Sequence, residues 1–170
     1  TSMLAAPVEV GWATGGMDTV QPAVAWTGSE YGVAWRYNHG GTNQELLFAR
    51  LDPVGSMVGS AQQISGTEYN LEPEIQWSGS EYGLVWVDGL VEMNVRFARV
   101  SATGTRLSTS TLADSASYAG LMDPDIAWDG SQWGIVWSGT SGGHWQVHFA
   151  RLDPAGDPAG AREQGPVAQG

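Results

Sequence analysis

The chain has 170 residues, 42% hydrophobic and 10% aromatic, enough for one domain with a sizeable core. Seven Arg, no Lys and 18 acids leave a formal charge of −11, which excludes the basic face that nucleic acid requires and suits an anionic membrane surface equally badly. Without Cys there is no disulfide scaffold and no thiolate-bound metal, and no run of 18 apolar residues marks a membrane-spanning helix.

Residues 1–7 lack the basic region and long apolar run of a signal peptide. Residues 7–11, P-V-E-V-G, read as a lone strand that Trp12 would pin. Residues 26–35 then run W-T-G-S-E-Y-G-V-A-W. The same decapeptide returns as W-S-G-S-E-Y-G-L-V-W at 77–86 and W-D-G-S-Q-W-G-I-V-W at 128–137, spaced by 51 residues both times. Pro22, Pro73 and Pro124 each stand four residues before the first Trp. A period of about 50 marks a repeat architecture. It divides the chain into an N-terminal segment, 1–21, and three units, 22–72, 73–123 and 124–170.

Each unit is expected to hold four strands. The first covers 23–26, 74–77 and 125–128; a Gly-Ser turn leads to the second at 31–35, 82–86 and 133–137. A variable loop follows, with Tyr37 and His39 in the first unit, residues 88–94 in the second and 138–145 in the third. The third strand closes on F-A-R at 48–50, 97–99 and 149–151, ahead of a turn of the D-P-x-G kind. Outer strands are expected at 61–65, 109–113 and 161–164. No apolar run has helical spacing, so the chain reads as all-β.

Tyr31, Val33 and Trp35 share one face of their strand, leaving Gly32 and Ala34 on the other. Both faces are apolar, one built of large residues and one of small. A half-solvated sheet would alternate apolar with polar instead. Four-stranded units stacked so that large residues of one press on small residues of the next are β-propeller blades. Three blades fall short of the roughly four to eight that close a ring. Two chains are therefore expected to join as a homodimer into a six-bladed ring, the spare N-terminal strand pairing with an open edge of the partner. A fragment of a longer array, or a single-chain β-trefoil or β-prism, are the alternatives.

The pattern P-x-I-x-W-x-G-S-x-Y-G-x-V-W, followed by F-A-R-L-D-P-x-G, resembles a Trp-rich repeat found in tandem in large secreted or cell-surface bacterial proteins. The resemblance covers residues 22–164, with Val24 for Ile in the first copy and Trp133 for Tyr in the third. It implies a β-propeller and an extracellular or cell-surface location, and it carries no established activity.

Trp26, Trp35, Trp77, Trp86, Trp128 and Trp137 could stack sugars, but their strand positions assign them to the core between blades. Arg50, Arg99 and Arg151 recur in every unit and are expected to pair with the acids of the repeated hairpin position, Glu30 and Glu81, where the third unit has Gln132. The ligand-binding candidates lie in the variable loop: Tyr37, His39, Asp88, Asn94, His144 and Trp145. His144 and His148 have a spacing that gathers metal ligands only on a helix, since four residues of strand span ~13 Å. Asp88, Glu92 and Asn94 lack the residue order of a calcium loop. No metal or other cofactor is expected. Residues 139–143 spell G-x-S-x-G, yet no helix follows to make a nucleophile elbow. The expected function is a non-catalytic binding or assembly module that associates through its blade faces, with a glycan as first candidate ligand. A structural spacer of a larger surface protein and a glycosidase-like propeller enzyme are the alternatives.

Overall fold

A computed structural model of the chain describes residues 7–10, 18–38, 44–66 and 69–159. Among these, eleven strands form three antiparallel meanders. The first sheet holds β1 (Asp18–Trp26), β2 (Tyr31–Asn38), β3 (Gln44–Leu51) and β4 (Gln62–Gln63). The second holds β5 (Asn70–Trp77), β6 (Glu81–Asp88), β7 (Asn94–Ser101) and β8 (Arg106–Asp114). The third holds β9 (Ala119–Trp128), β10 (Trp133–Ser141) and β11 (His144–Leu152). The sheets stack in series as propeller blades, with inner strand β1 beside β5 and β5 beside β9.

The local chemistry of each repeat dictates its hairpins. The oxygen of Thr27, Ser78 or Asp129 accepts from the backbone N–H three residues on, at 2.9, 3.1 and 2.7 Å. The residue after it is Gly28, Gly79 or Gly130, at φ near +100°, where a side chain would be strained.

Two separate apolar clusters hold the stack, one in each junction. The first gathers Phe48, Leu46, Ile75, Tyr82, Leu84 and Trp86; the second Val95, Phe97, Ile126, Trp133, Ile135 and Trp137. A β-trefoil or β-prism would instead converge on one central core. The close fit depends on two glycines. A Cβ on Gly32 would lie 2.3 Å from the Tyr82 ring, and one on Gly83 would lie 2.7 Å from the Trp133 ring. The second and third blades thus each plug an aromatic ring into a glycine socket of the blade before. Burial at this density pushes the Tyr82 hydroxyl up to about 12.

Several expectations need correcting. The first strands do not begin after the prolines but run through them, because Pro can occupy a strand on the sheet edge where its missing N–H faces no partner. Register slips there, and Gln21, Glu72 and Asp123, each just before its Pro, take φ of 53, 53 and 51°. The third variable loop is far shorter than 138–145: β10 continues to Ser141, and Gly142-Gly143, both with positive φ, make a two-residue turn. Trp145 therefore belongs to β11. The first outer strand is cut to two residues, while β8 is longer than expected. Residues 7–10 form no strand. His39, Trp12 and the third outer strand at 161–164 lie outside the described residues.

Candidate functional site

The antiparallel register brings the start of each inner strand beside the end of the second: Asp18 pairs with Asn38 and Asn70 with Asp88. The proline bulges and the loops after β2, β6 and β10 consequently open at one end of the stack. Between the bulges lies a depression of about 420 Å³ lined by Gln21, Glu72, Glu74, Asp123, Asp125 and the three prolines.

A hydrogen-bond relay shapes it. At each bulge the backbone N–H leaves the ladder and must find another acceptor. The N–H of Glu72 donates to Gln21 Oε1 of the preceding blade at 3.3 Å, and that of Asp123 donates to Glu72 Oε2 at 2.7 Å. Each repeat thus carries an acceptor side chain before its Pro for the blade that follows. That is the signal sequence reasoning passes over, because only the prolines stand out in the alignment. Loss of hydration and then the nearby charge of Asp125 hold the Glu74 carboxyl above the ordinary range. The depression therefore offers carboxylate and amide oxygens between proline rings.

The sequence-predicted loop residues distribute themselves differently. Tyr37 stands near the end of β2, half-buried and opposite Glu45. Asp88 is buried and fully engaged, accepting from Arg96 Nε at 2.6 Å and from Asn94 Nδ2 at 2.8 Å. Asp88 and Asn94 thus close the β6–β7 connection on itself. His144 is exposed beside the glycine turn. Trp145 is exposed on the outer face of the third blade and would touch a Cβ on Gly120 at 3.0 Å. His148 points the opposite way and stacks on Trp137 at 5.7 Å.

The repeated frame is mechanical. Trp35, Trp86 and Trp137 are buried, Trp77 and Trp128 are packed at the rims of the two clusters, and Trp26 is exposed. Arg50 reaches Glu30 at 2.6 Å, and Arg99 grips Glu81 in a two-point pair at 2.6 and 2.9 Å. Its bond to Glu81 is the main cause that raises the Arg99 guanidinium further above its ordinary range. The third repeat has Gln132 at the position of Glu30 and Glu81, and Arg151 lies in the field of Asp129, whose carboxyl is held low by the N–H groups of Ser131 and Gln132.

Comparison with solved structures shows the fold. The chain is similar to an endo-arabinase from Bacteroides thetaiotaomicron, with a TM-score of 0.59 and 14% identity over 87% of this chain and 61% of that one. It is similar to an exo-1,5-alpha-L-arabinanase from a bovine ruminal metagenomic library, with a TM-score of 0.61 and 13% identity over 89% of this chain and 59% of that one. A subtype N10 neuraminidase-like protein of A/little yellow-shouldered bat follows, with a TM-score of 0.55 and 9% identity over 84% and 43% of the two chains. This chain spans less than two thirds of the length of each. No protein-family model matches the sequence, and no curated protein does. At these identities the likeness establishes β-propeller blades and nothing finer.

Proposed function

We propose that the chain is a non-catalytic, carbohydrate-binding propeller module that also assembles through its blade faces. The axial depression carries this reading. Three successive blades present Gln21, Glu72 and Asp123 at one repeated position, with Glu74 and Asp125 beside them. Their oxygens suit the hydroxyls of a neutral sugar, the prolines suit its apolar face, and the acids oppose an anion. The arabinan-related names of two structural neighbours make an arabino-oligosaccharide the first probe, by analogy of fold. Titration calorimetry with that probe, beside an assay for newly released reducing ends, tests the reading. Saturable heat without release is the expected result; an absence of binding to it and to a glycan array sinks the proposal.

A second reading, a glycosidase-like activity, is favoured by one observation. Glu74 and Asp125 share the depression, and Glu74 is displaced upward by lost hydration and by Asp125, as a general acid beside an ionised carboxylate would be. Release of sugar that disappears in Glu74→Gln would establish it in place of the first. The Trp-rich motif alone supports a secreted or cell-surface setting, which labelling of intact cells with an antibody to this module checks.

A further inference from the structure

We infer, on the strength of the assembly reading above, that the two outward blade faces are the separated halves of one junction, and that a second copy of this chain covers each. Inside the chain the junction has a fixed recipe. The ring of Tyr82 fills the socket of Gly32 with Phe48 against it at 5.0 Å, and the ring of Trp133 fills the socket of Gly83 with Phe97 at 5.8 Å. One repeat further on, Gly134 lies on the face of the third blade that carries Phe149, whose ring is 3.2 Å from its Cβ position, and one repeat back, Tyr31 stands exposed on the first. The socket and the ring that fits it are on opposite ends of the same molecule.

Exposure follows that logic at three repeated positions, although Trp35 on the outward face of the first blade is buried. Phe149 is 46% exposed, where Phe48 and Phe97 are each 1%. Val147 is 78% exposed, where Leu46 and Val95 are each 0%. Tyr31 is 37% exposed, where Tyr82 and Trp133 are each 0%. Polar groups obey the same translation. Arg99 Nη1 crosses its junction to the Ala155 carbonyl at 3.1 Å, so Arg151 has the exposed Val54 turn of a second copy as its counterpart. Glu72 caps Asp123, which leaves the Asp123 carboxylate to cap Gln21 of the second copy.

The chain itself marks the seat. A Cβ on Gly104 would meet Phe48 at 3.4 Å and one on Gly156 would meet Phe97 at 3.0 Å, but one on Gly55 would meet Val8 at 3.3 Å. Val8 occupies the place that the repeat reserves for Phe149 of a preceding blade, and Phe149 of a second copy displaces it. Pairing of unlike faces closes after two chains when related by a two-fold axis, and six blades fall within the roughly four to eight that propellers use.

Sedimentation and native mass measurement of the whole chain test this. The expected species has twice the 18.0 kDa chain mass. Tyr31→Asp and Gly134→Leu should each return it to one chain mass with cooperative unfolding of the single chain retained, since Tyr31 is 37% exposed and a Cβ on Gly134 meets the ring of the outward Phe149. The double variant Tyr31→Cys/Phe149→Cys, in a protein with no native Cys, should oxidise to a covalent two-chain species. A single-chain mass for the unaltered protein overturns the inference, as does growth beyond two chains. A dimer that survives both Tyr31→Asp and Gly134→Leu overturns the junction assigned. Glycan binding by a monomer removes only this inference, whereas a dimer without glycan binding leaves it intact and removes the reading of the depression.

Discussion

The middle blade and the outer two are built from nearly the same residues and live in different surroundings. β6 is buried at every position but its first, whereas β11 is exposed at most positions although it carries the same F-A-R ending as β7. The difference teaches that burial in a stacked-repeat protein is a property of neighbours, since a blade supplies one half of each junction and borrows the other. Stability in such an array is approximately a sum of blade and junction contributions. A residue whose loss is severe inside the stack should matter little at its end.

The largest contrast is expected at the repeated phenylalanine. Phe97→Ala empties a closed junction beside Trp133 and should cost about 4 kcal/mol, measured by urea unfolding of the single chain. Phe149→Ala removes a half-exposed ring and should cost less than ~1 kcal/mol in the same measurement. Equal losses would break the comparison. Overpacking the sockets comes next. Gly83→Val drives methyl groups into a ring already 2.7 Å from the Cβ position and should cost about 3 kcal/mol, whereas Gly134→Val meets only the outward Phe149 and should cost a fraction of that.

The period, the hairpins and their large and small faces are legible because turn chemistry and two-residue alternation leave local marks. The mark of the bulges is equally local, an acceptor before each of Pro22, Pro73 and Pro124, yet its meaning lies in the next blade, where the relay runs from Gln21 to Glu72 to Asp123. Positions separated by 51 residues announce no proximity until the stacking order is known. Trp145 is hidden for another reason. The Gly- and Ser-rich run 138–143 has loop composition, but β10 and β11 pair through it from Ser138–Val147 to Ser141–His144, so only two glycines turn. Tertiary pairing overrides composition there.

A smaller contrast tests the arginines. Arg99→Ala strips a half-sheltered Glu81 of a two-point partner and the next blade of a hydrogen bond, and should cost about 2 kcal/mol. Arg151→Ala should stay within about 0.5 kcal/mol in the single chain, because the repeated acid is Gln132 in this unit and the nearby Asp129 is fully exposed. Should the two losses match, the end face is already covered by something in the single chain.

The smallest effect belongs to the depression, and it has a definite sign. Ala23, Glu74 and Asp125 hold one repeated position, and of these Glu74 stands in the blade flanked on both sides. Folding raises its carboxyl above the ordinary 4.5, first by lost hydration and then by the charge of Asp125. The folded state therefore holds this proton more tightly than the unfolded one, and the ionised form weakens the fold. Stability falls as pH rises from 4.5 through the folded value and stays lower above it. Glu74→Gln cannot ionise and should lose that slope, melting at or above the unaltered protein near neutral pH. Asp125→Asn removes only the second cause and should flatten the slope less. Solvent reaches the outer side of Glu74, so the gain is a small shift in melting temperature. Identical melting curves for Glu74→Gln and the unaltered protein on both sides of 4.5 would show that the middle blade shields this carboxyl no more than an end blade would.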